Sequence, residues 1–238
     1  MRLSVLIPVY NERKRLPATI KLVVEFFRET EPDYEVILVN DGSTDDTLKI
    51  CLEYAKSDPR IKVLSYEVNR GKGYAVWTGL KAAQGELLLF IDADLATPLK
   101  EYLKLKNILS SEKLDLAVGS RVKDESDIII RHPIYRRYAG RIFNLFVRII
   151  VLPGVKDSQC GFKLYTKSAY KAIASRQIIH GFSFDVEHLY IARNLKLKMK
   201  EVGVQWSNVD NTTVSVFRSA VPMLIDLFQI RRHHRRYF

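Results

Sequence analysis

The sequence predicts an α/β fold, with a mostly parallel, doubly wound sheet flanked by helices. Over residues 1–120, short apolar runs alternate with segments of helical periodicity, which is the order of parallel strands joined by crossover helices. The runs are apolar throughout, which indicates strands buried on both faces. The 238 residues are 47% hydrophobic and 27% charged, a globular composition, and we expect a single domain over 1–238.

Five strands are predicted in the first half of the chain, each ending in polar residues. Residues 15–30 carry apolar side chains at helical spacing. Gly42 allows a tight turn before a second helix, which one of residues 43–45 can cap. Pro98 suits the first turn of a later helix. The strands are predicted at 3–9, 34–39, 61–66, 86–91 and 114–119, with another helix at 74–83.

The pattern changes after residue 120. Residues 121–137 are basic and weakly periodic, which predicts a loop. Two segments, at about 138–152 and 215–232, combine basic residues with Ile, Leu and Phe at helical spacing, which predicts amphipathic helices. They either lie in a membrane interface or pack on the core. Between them we predict a turn entering a strand at 157–165, a helix at 184–195 and a strand at 198–206.

The positive charge is confined to the second half of the chain. Residues 1–120 hold 17 basic and 18 acidic side chains, whereas residues 121–238 hold 21 and 9, so that the later half carries the whole excess of the formal net charge of +11. This asymmetry predicts a polyanionic partner, which could be nucleic acid, anionic lipid headgroups or phosphate.

The cysteines and the apolar runs indicate the cellular compartment in which we expect the chain. Cys51 and Cys160 lie too far apart for a zinc motif or a disulfide framework, so we expect a reducing, cytoplasmic setting. The apolar run at 3–9 is too short for a signal peptide. Because no apolar run approaches the ~20 residues that span a bilayer, we expect a chain that does not cross a membrane.

Asp92 and Asp94 end the most apolar of the predicted strands. Ionised carboxylates are rarely buried without a partner, and ligands of open α/β sheets bind at the carboxyl ends of the strands. Hard oxygen ligands favour Mg²⁺ or Mn²⁺, and Mg²⁺ is usually held by one or two carboxylates together with substrate phosphates. We therefore predict a metal–diphosphate site. The alternative is a strand end with two solvated carboxylates.

Polar groups also follow the other predicted strands. Tyr10 and Glu12 follow the first strand, Asp41 the second, and residues 69–73 (NRGKG) the third. Asp41 could accept from a base or ribose, while the basic side chains and glycine amides at 70–73 suit phosphate at a helix N-terminus. The glycine loop has neither the P-loop spacing nor GxGxxG. Together these groups predict a nucleotide site.

The same residues resemble glycosyltransferase family 2, whose nucleotide-sugar fold is called GT-A. The shared motifs are 8–12 (PVYNE), 40–43 (NDGS), 69–73 (NRGKG), 92–94 (DAD) and 119–121 (GSR). Within the family, residues 157–163 (DSQCGFK), 184–187 (FDVE) and 204–206 (VQW) look like dolichyl-phosphate β-glucosyltransferases. The resemblance covers nearly the whole chain.

The resemblance implies that residues 1–120 bind a nucleotide-sugar and that residues 121–238 bind the acceptor. It implies Asp92 and Asp94 as ligands of Mg²⁺ or Mn²⁺. The implied nucleotide-sugar-binding residues are Pro8, Tyr10, Glu12, Asp41, Asn69, Lys72, Gly73, Asp92, Ala93 and Asp94.

The implied reaction is a single displacement that inverts the anomeric carbon and gives a β-linked lipid phosphate. A phosphate acceptor is already ionised at neutral pH, so it needs positioning cations rather than a base. A hydroxyl acceptor would need a carboxylate base, for which Asp157, Asp185 or Glu187 could serve; Asp185 and Glu187 could instead be structural. The expected catalytic residues are Asp94, Arg121, Arg131, Arg137 and Gln159.

The sequence departs from the family pattern at two points, which affect the expected donor and the expected membrane contact. Ala96 stands where mannosyl relatives carry a Gln, which favours the glucosyl branch and thus glucose from UDP-glucose as the donor. The resemblance itself implies dolichyl (polyprenyl) phosphate as the acceptor. The N-terminal anchor of eukaryotic members is missing, so we expect peripheral contact with the cytoplasmic membrane face through helices 138–152 and 215–232. The alternatives are a GDP-mannose-dependent dolichyl-phosphate mannosyltransferase, a transferase to a carbohydrate hydroxyl, and a nucleic-acid-binding protein. Oligomeric state is left open.

Overall fold

A central seven-stranded sheet organises the chain. The computed structural model describes residues 2–122, 128–130, 134–207 and 216–235. The strands are β1 Leu3–Val9, β2 Tyr34–Asp41, β3 Ile61–Tyr66, β4 Leu87–Ile91, β5 Leu116–Ser120, β6 Ile128–Ile130, β7 Phe162–Thr166, β8 Met199–Gly203 and β9 Trp206–Ser207. The helices are α1 Leu16–Thr30, α2 Thr47–Ser57, α3 Lys72–Ala82, α4 Glu101–Ser111, α5 Ile134–Ile150, α6 Lys167–Ala174, α7 Phe184–Asn194 and α8 Val216–His234.

The order of the sheet is β3-β2-β1-β4-β7-β5-β8, with a separate parallel pair of β6 and β9. Every neighbouring pair in the large sheet is parallel except those of β7, which runs antiparallel to both β4 and β5. The predicted mostly parallel, doubly wound fold is therefore confirmed. Because β7 lies beside β4, the turn that precedes β7 lies against the end of β4, where the Asp92 amide donates to the Gly161 carbonyl at 3.2 Å.

Helices cover both faces of the sheet. In β1, Leu6 belongs to the core shared with α3, α6 and α7, whereas Val5 and Ile7 belong to the core shared with α1 and α4. Successive side chains of a strand point to opposite faces, so the central strands are apolar at most positions on both faces. This is why the strands read as continuous apolar runs in the sequence.

Several elements differ from the sequence prediction, including the strand predicted at 198–206, which is two strands, β8 and β9. The segment predicted as a loop at 121–137 contains β6 and the first turn of α5. Helix α6 was not predicted; it is only eight residues long, and it is started by the Thr166 hydroxyl, which accepts from the Ala169 amide at 3.4 Å. Helix α4 begins at Glu101, after a turn in which the Glu101 amide donates to the Pro98 carbonyl.

At the opposite end of the sheet from the predicted site, Glu35 on β2 is fully buried. It accepts from the Ser4 hydroxyl at 2.7 Å and the Gln84 amide at 2.9 Å, and it pairs with the Lys62 ammonium at 2.7 Å. Burial raises the pKa of Glu35, but its bonds with Lys62 and Ser4 outweigh burial and hold that pKa below the usual value. The ionised form of Glu35 therefore stabilises the fold.

We expect Glu35→Ala to lower the free energy of unfolding by about 3 kcal/mol at neutral pH, because it leaves buried donors without an acceptor. A depressed pKa stabilises the fold above the unfolded-state pKa, near 4.5, and this contribution is lost as the pH falls through the folded value. Urea denaturation at neutral and acidic pH measures the loss, with Glu53→Ala on the exposed face of α2 as the control. An equal loss at both pH values would contradict this account.

Candidate active site

The turn after β4 holds the two predicted metal ligands in a fixed geometry. The Leu95 amide donates to the Asp92 carbonyl at 3.2 Å, and Leu95 has a φ of 48°, an unusual value for a residue with a branched side chain. The Thr19 hydroxyl of α1 donates to the Ala93 carbonyl at 2.7 Å. The Ala96 amide donates to Asp94 Oδ1 at 3.0 Å. Strained backbone of this kind persists where surrounding contacts enforce it, which is common at functional sites.

Lys72, Asp92 and Asp94 form the charged centre of this end of the sheet. Lys72 Nζ lies 2.7 Å from Asp92 Oδ1, and both side chains are partly exposed. Burial lowers the pKa of the Lys72 ammonium, but the charges of Asp92 and Asp185 outweigh it and raise that pKa. Burial and the neighbouring Asp92 charge raise the pKa of Asp94. The two carboxylates therefore carry more negative charge than Lys72 alone compensates.

Asp92 and Asp94 fit a divalent cation that completes its coordination with phosphate oxygens. Mg²⁺ is typically bound by one or two carboxylates plus substrate phosphates rather than by an all-protein cage. In the described part of the chain, no group of three or more His, Cys, Asp or Glu side chains is placed to hold a metal by itself. Asp92 already binds a cationic group, the Lys72 ammonium, and Asp94 lines the same small cleft as Asp92.

The loop after β1 borders this centre. Glu12 Oε2 lies 2.6 Å from Arg15 Nε, a partner that the sequence interpretation missed. Burial and the charges of Asp94 and Asp45 raise the pKa of Glu12, although the Arg15 charge lowers it. The Glu12 amide donates to the Thr47 hydroxyl at 2.8 Å, which ties this loop to the start of α2.

Pro8 and Tyr10 occupy positions consistent with the predicted nucleotide site. Pro8 pairs with Val39 of β2, while the pairing of β1 with β4 ends at Leu6, so that the missing amide of Pro8 interrupts no pairing with β4. Tyr10 is 40% exposed at the rim of the sheet end.

Asp41 organises the loop that precedes α3. Its buried carboxylate accepts from the Arg70 amide at 2.8 Å, the Gly71 amide at 3.0 Å and Asn69 Nδ2 at 2.9 Å. The Gly71 amide, which the sequence interpretation offered to phosphate, therefore donates to Asp41 instead, which corrects that part of the interpretation. The direct contact predicted between Asp41 and a nucleotide stays a prediction.

The glycines at the start of α3 allow another part of the chain to approach. A Cβ on Gly71 would lie 2.5 Å from the His180 carbonyl oxygen, and one on Gly73 would lie 2.7 Å from the Gly181 oxygen. The Tyr74 amide donates to the His180 carbonyl at 3.1 Å. The N-terminus of α3 is thus partly capped by the chain itself. Of the predicted phosphate ligands in this loop, Lys72 is the one whose side chain reaches Asp92.

On the acceptor side, Arg121 makes a bidentate ion pair with Asp157. The two N···O distances are both 2.8 Å, and the Arg121 amide donates to the same carboxylate at 2.9 Å. The Arg121 guanidinium lies 5.7 Å from the ring centroid of Trp206. Burial raises the pKa of Asp157, but Arg121 outweighs burial and holds that pKa below its usual range. The backbone amide of Asp157 donates to Glu201 at 2.7 Å.

The turn before β7 connects the two halves of the site. Asp92, Asp94, Gly161 and Trp206 line one small cleft. Gln159, a predicted catalytic residue, is half-buried in this turn. Its backbone amide donates to Asp157 Oδ1 at 3.3 Å. The predicted donor and acceptor sides therefore meet at the end of β4.

Asp185 and Glu187 are held by internal partners. Lys163, fully buried, forms an ion pair with Asp185 and donates to the Cys160 carbonyl at 2.7 Å, so Asp185 orients the Gln159 turn through Lys163. Glu187 accepts from two backbone amides and from His234 at 2.7 Å. Of the alternatives left open from sequence, these contacts favour the structural one.

Two predicted catalytic arginines cannot be placed. Arg131 lies outside the described residues, and of Arg137 only the helical backbone on α5 is described. Several contributors were missed: Arg15 beside Glu12, Thr19 on the Ala93 carbonyl, Lys163 beneath the Gln159 turn, and Glu201. Of these, only Arg15, three residues from Glu12, stood at a spacing from which a pair could have been predicted.

Helices α5 and α8 pack together and expose apolar side chains to solvent. Arg231 Nη1 on α8 donates to the Ile150 carbonyl at the end of α5, at 3.2 Å. Arginines accompany these side chains: Arg148 on α5, and Arg231, Arg232 and Arg235 at the end of α8. We call the following exposed residues the α5–α8 apolar surface: Ile142, Leu145, Phe146, Ile149, Val221, Ile225 and Phe228.

The chain is similar in sequence to a known family of proteins. Residues 4–174 match the family model described as glycosyl transferase family 2. The chain is 38% identical over 242 residues to the dolichyl-phosphate beta-glucosyltransferase of Drosophila melanogaster, covering 97% of this chain and 74% of that one. It is 36% identical over 240 residues to the protein of that name from Dictyostelium discoideum, with 96% and 73% covered.

The fold also matches a solved structure. A crystal structure of glucosyl-3-phosphoglycerate synthase from Mycobacterium tuberculosis, in complex with Mn²⁺, UDP-glucose and phosphoglyceric acid, superposes with a TM-score of 0.71 at 20% identity. The match covers 97% of this chain and 79% of that one. At this identity the similarity establishes the fold alone.

Proposed function

Because this chain belongs to glycosyl transferase family 2, we propose that it transfers glucose from UDP-glucose to dolichyl or another polyprenyl phosphate. The names of the relatives support this acceptor and sugar, since several proteins that match nearly all of this chain are dolichyl-phosphate beta-glucosyltransferases. The donor is a nucleoside diphosphate sugar that binds between the end of β1 and the Asp92–Asp94 turn.

We choose a phosphate acceptor because each of the three candidate bases is already bound to a donor within the protein. A hydroxyl acceptor needs a carboxylate able to take its proton. Asp157 is bound by Arg121 and Asp185 by Lys163, and Glu187 accepts from two amides and His234. A phosphate acceptor is already an anion and needs no base, so this arrangement favours a lipid phosphate over a sugar hydroxyl.

On the donor side, each group has a separate task. Asp92 and Asp94 would hold Mg²⁺ or Mn²⁺, which neutralises a diphosphate leaving group when bound. Lys72 supplies a second positive charge beside Asp92. Asn69 Nδ2 donates to the Asp41 carboxylate and carbonyl and so fixes the loop that carries Lys72. Glu12, Tyr10 and Pro8 form the β1 side of the nucleotide site.

On the acceptor side, we assign Arg121 and Gln159 to the anionic acceptor, because Arg121 lies over Trp206, which lines the cleft with Asp92 and Asp94. Arg121 keeps donors beyond those used by Asp157, since a guanidinium has five N–H groups. We assign Arg131 and Arg137 to the same phosphate. Attack by the acceptor oxygen on the anomeric carbon, opposite the diphosphate, gives inversion and a β-linked lipid phosphate.

The deciding experiment incubates the purified protein with Mn²⁺ or Mg²⁺, polyprenyl phosphate in vesicles, and each of a panel of labelled UDP- and GDP-sugars. We expect labelled lipid from UDP-glucose. Transfer from GDP-mannose would establish the mannosyl alternative. Transfer to free carbohydrate without polyprenyl phosphate would establish the hydroxyl alternative and overturn the proposal.

The α5–α8 apolar surface is our candidate for contact with the membrane that carries the acceptor. Among the residues whose structure is described, no helix is both long enough and apolar enough to cross a bilayer. The apolar residues and neighbouring arginines combine buried apolar area with attraction for anionic headgroups, as interfacial helices do. Each basic residue near the surface contributes ~1 kcal/mol toward anionic lipid. We therefore propose peripheral binding at the cytoplasmic membrane face.

The double substitution Ile149→Ser with Phe228→Ser is expected to weaken binding to anionic vesicles by about a hundredfold. These side chains are 68% and 62% exposed, and burial of each in lipid contributes about 1.5–3 kcal/mol. Vesicle sedimentation measures the affinity. Leu22→Ser with Leu52→Ser, on exposed faces of α1 and α2, is the matched control and should bind as the wild type does. Equal binding by both variants would exclude the α5–α8 apolar surface.

A further inference from the structure

Helix α8 is joined to the Lys72 loop by one intervening segment, residues 177–183. On the α8 side, His234 Nε2 donates to Glu187 Oε1 at 2.7 Å, and both side chains are buried. The Asp226 carboxylate of α8 also lies beside the segment, since a Cβ on Gly181 would be 3.7 Å from Asp226 Oδ2. The segment therefore lies against α8 at Asp226 and is linked to His234 through Glu187.

Glu187 of α7 transmits this attachment to the backbone of the segment. Its carboxylate accepts from the Ile178 amide at 2.8 Å and the Ile179 amide at 2.9 Å. Together with the bond from His234, a fully buried carboxylate receives three donors. Buried carboxylates of this kind are expensive to leave unpaired, so the position of the segment depends on the whole arrangement.

The other side of the segment supports the start of α3. Gln177 Nε2 donates to the Gly73 carbonyl at 2.8 Å, and the His180 carbonyl accepts from the Tyr74 amide at 3.1 Å. These contacts are made by the two residues that follow Lys72, whose ammonium reaches Asp92 at 2.7 Å. A displacement of the segment would therefore displace the first turn of α3, which carries Lys72.

We propose that Glu187 and His234 are positioning residues for Lys72 and, through it, for the donor diphosphate. They do not touch the site, but they fix the segment on which the first turn of α3 rests. This inference rests on the proposed function for its effect on donor binding. Its structural part, the coupling of α8 to the first turn of α3, is tested without any donor.

The test compares His234→Ala with His234→Gln, which keeps a donor near the position of Nε2. Gln229→Ala, on the exposed face of α8, is the matched control. Gln177→Met leaves α8 unchanged and removes the bond to Gly73, together with those to the Ile179 carbonyl and His188. It is the second variant if His234→Ala does not fold. Amide hydrogen exchange is followed at Ile178, Ile179, Tyr74 and Ala75, all of which have internal acceptors. The dissociation constant of UDP with Mn²⁺ is measured by calorimetry.

We expect His234→Ala and Gln177→Met to speed exchange at Tyr74 and Ala75 and to weaken UDP binding about tenfold, roughly 1.4 kcal/mol. His234→Gln and Gln229→Ala should stay within about twofold of the wild type in both measurements. Faster exchange confined to α8, with Tyr74 and Ala75 unchanged, would overturn the proposal. A lower thermal midpoint of His234→Ala with unchanged affinity for UDP would also overturn the proposal. If the wild type binds no UDP or UDP-sugar, the proposed function fails, and exchange at Tyr74 and Ala75 alone decides the coupling.

Discussion

The Asp94→Asn variant is expected to lose turnover by about a thousandfold or more. Asn keeps an oxygen that can accept from the Ala96 amide, so the turn after β4 should retain its geometry. It removes the charge that would hold the divalent cation against the leaving diphosphate. Such electrophilic stabilisation contributes several kcal/mol, and each 1.36 kcal/mol changes the rate tenfold.

The measurement is the initial rate of lipid-linked sugar formation over a range of Mn²⁺ concentrations. Asp33→Asn, a substitution of an exposed aspartate at the other end of the sheet, is the matched control and should leave the rate unchanged. A rate for Asp94→Asn above about a tenth of the wild-type rate would remove Asp94 from the reaction, since it corresponds to less than 1.4 kcal/mol.

The same substitution should make the protein more stable. Burial and the charge of Asp92 raise the pKa of Asp94, so the ionised form is less favourable in the folded chain than in the unfolded one. Above the unfolded-state pKa this charge therefore destabilises the fold. The thermal midpoint of Asp94→Asn should accordingly rise at neutral pH, as expected where a site keeps function at the expense of stability.

The sequence was sufficient for the five strands of the first half and for bringing Glu12 and Asp94 to one end of the sheet. Apolar runs located all five strands of the first half, and the parallel order placed Glu12 and Asp94 at the same end of the sheet, where their charges interact. The position of β7 could not be predicted, because its pairing with β4 joins residues about 75 positions apart and depends on tertiary packing.

The partners of the carboxylates in residues 121–238 could not be predicted from the sequence either. Asp157 pairs with Arg121 across 36 positions, and Glu187 with His234 across 47. No periodicity connects residues at such separations, so the sequence offered each carboxylate as a potential base. The amides of Gly71 and Gly73 were offered to phosphate, whereas the group that approaches these glycines in the structure is the backbone at 179–181.

The structure therefore treats its acidic groups in two ways. Asp157, Asp185 and Glu187 are buried and matched by internal donors, which fixes the acceptor side. At the ends of β1 and β4, burial and neighbouring carboxylates raise the pKa of Glu12 and Asp94, and burial raises the pKa of Asp185 even though it is paired with Lys163. The cation with its diphosphate that we propose at Asp92 and Asp94 would compensate the negative charge there.

Gly161→Ala is expected to weaken the binding of UDP with Mn²⁺ by about a hundredfold, roughly 2.7 kcal/mol. A Cβ at position 161 would lie 1.9 Å from Asp92 Oδ2 and 2.3 Å from Asp92 Cγ, so the Asp92 carboxylate must leave its place. Its contact with Lys72 at 2.7 Å would be broken by the same movement. The fold itself should persist, because the collision is with a partly exposed side chain rather than with the core.

A double-mutant cycle isolates the cause. If Gly161→Ala acts only by displacing Asp92, it should have little further effect in an Asp92→Ala background, where the added methyl group has room. Gly140→Ala is the control, because a Cβ there has no neighbour within 4 Å and a helical alanine adds about 0.5–1 kcal/mol of stability. Additive losses in the cycle would instead mean that the turn before β7 is disturbed directly, and wild-type affinity in Gly161→Ala would show that Asp92 does not hold the donor.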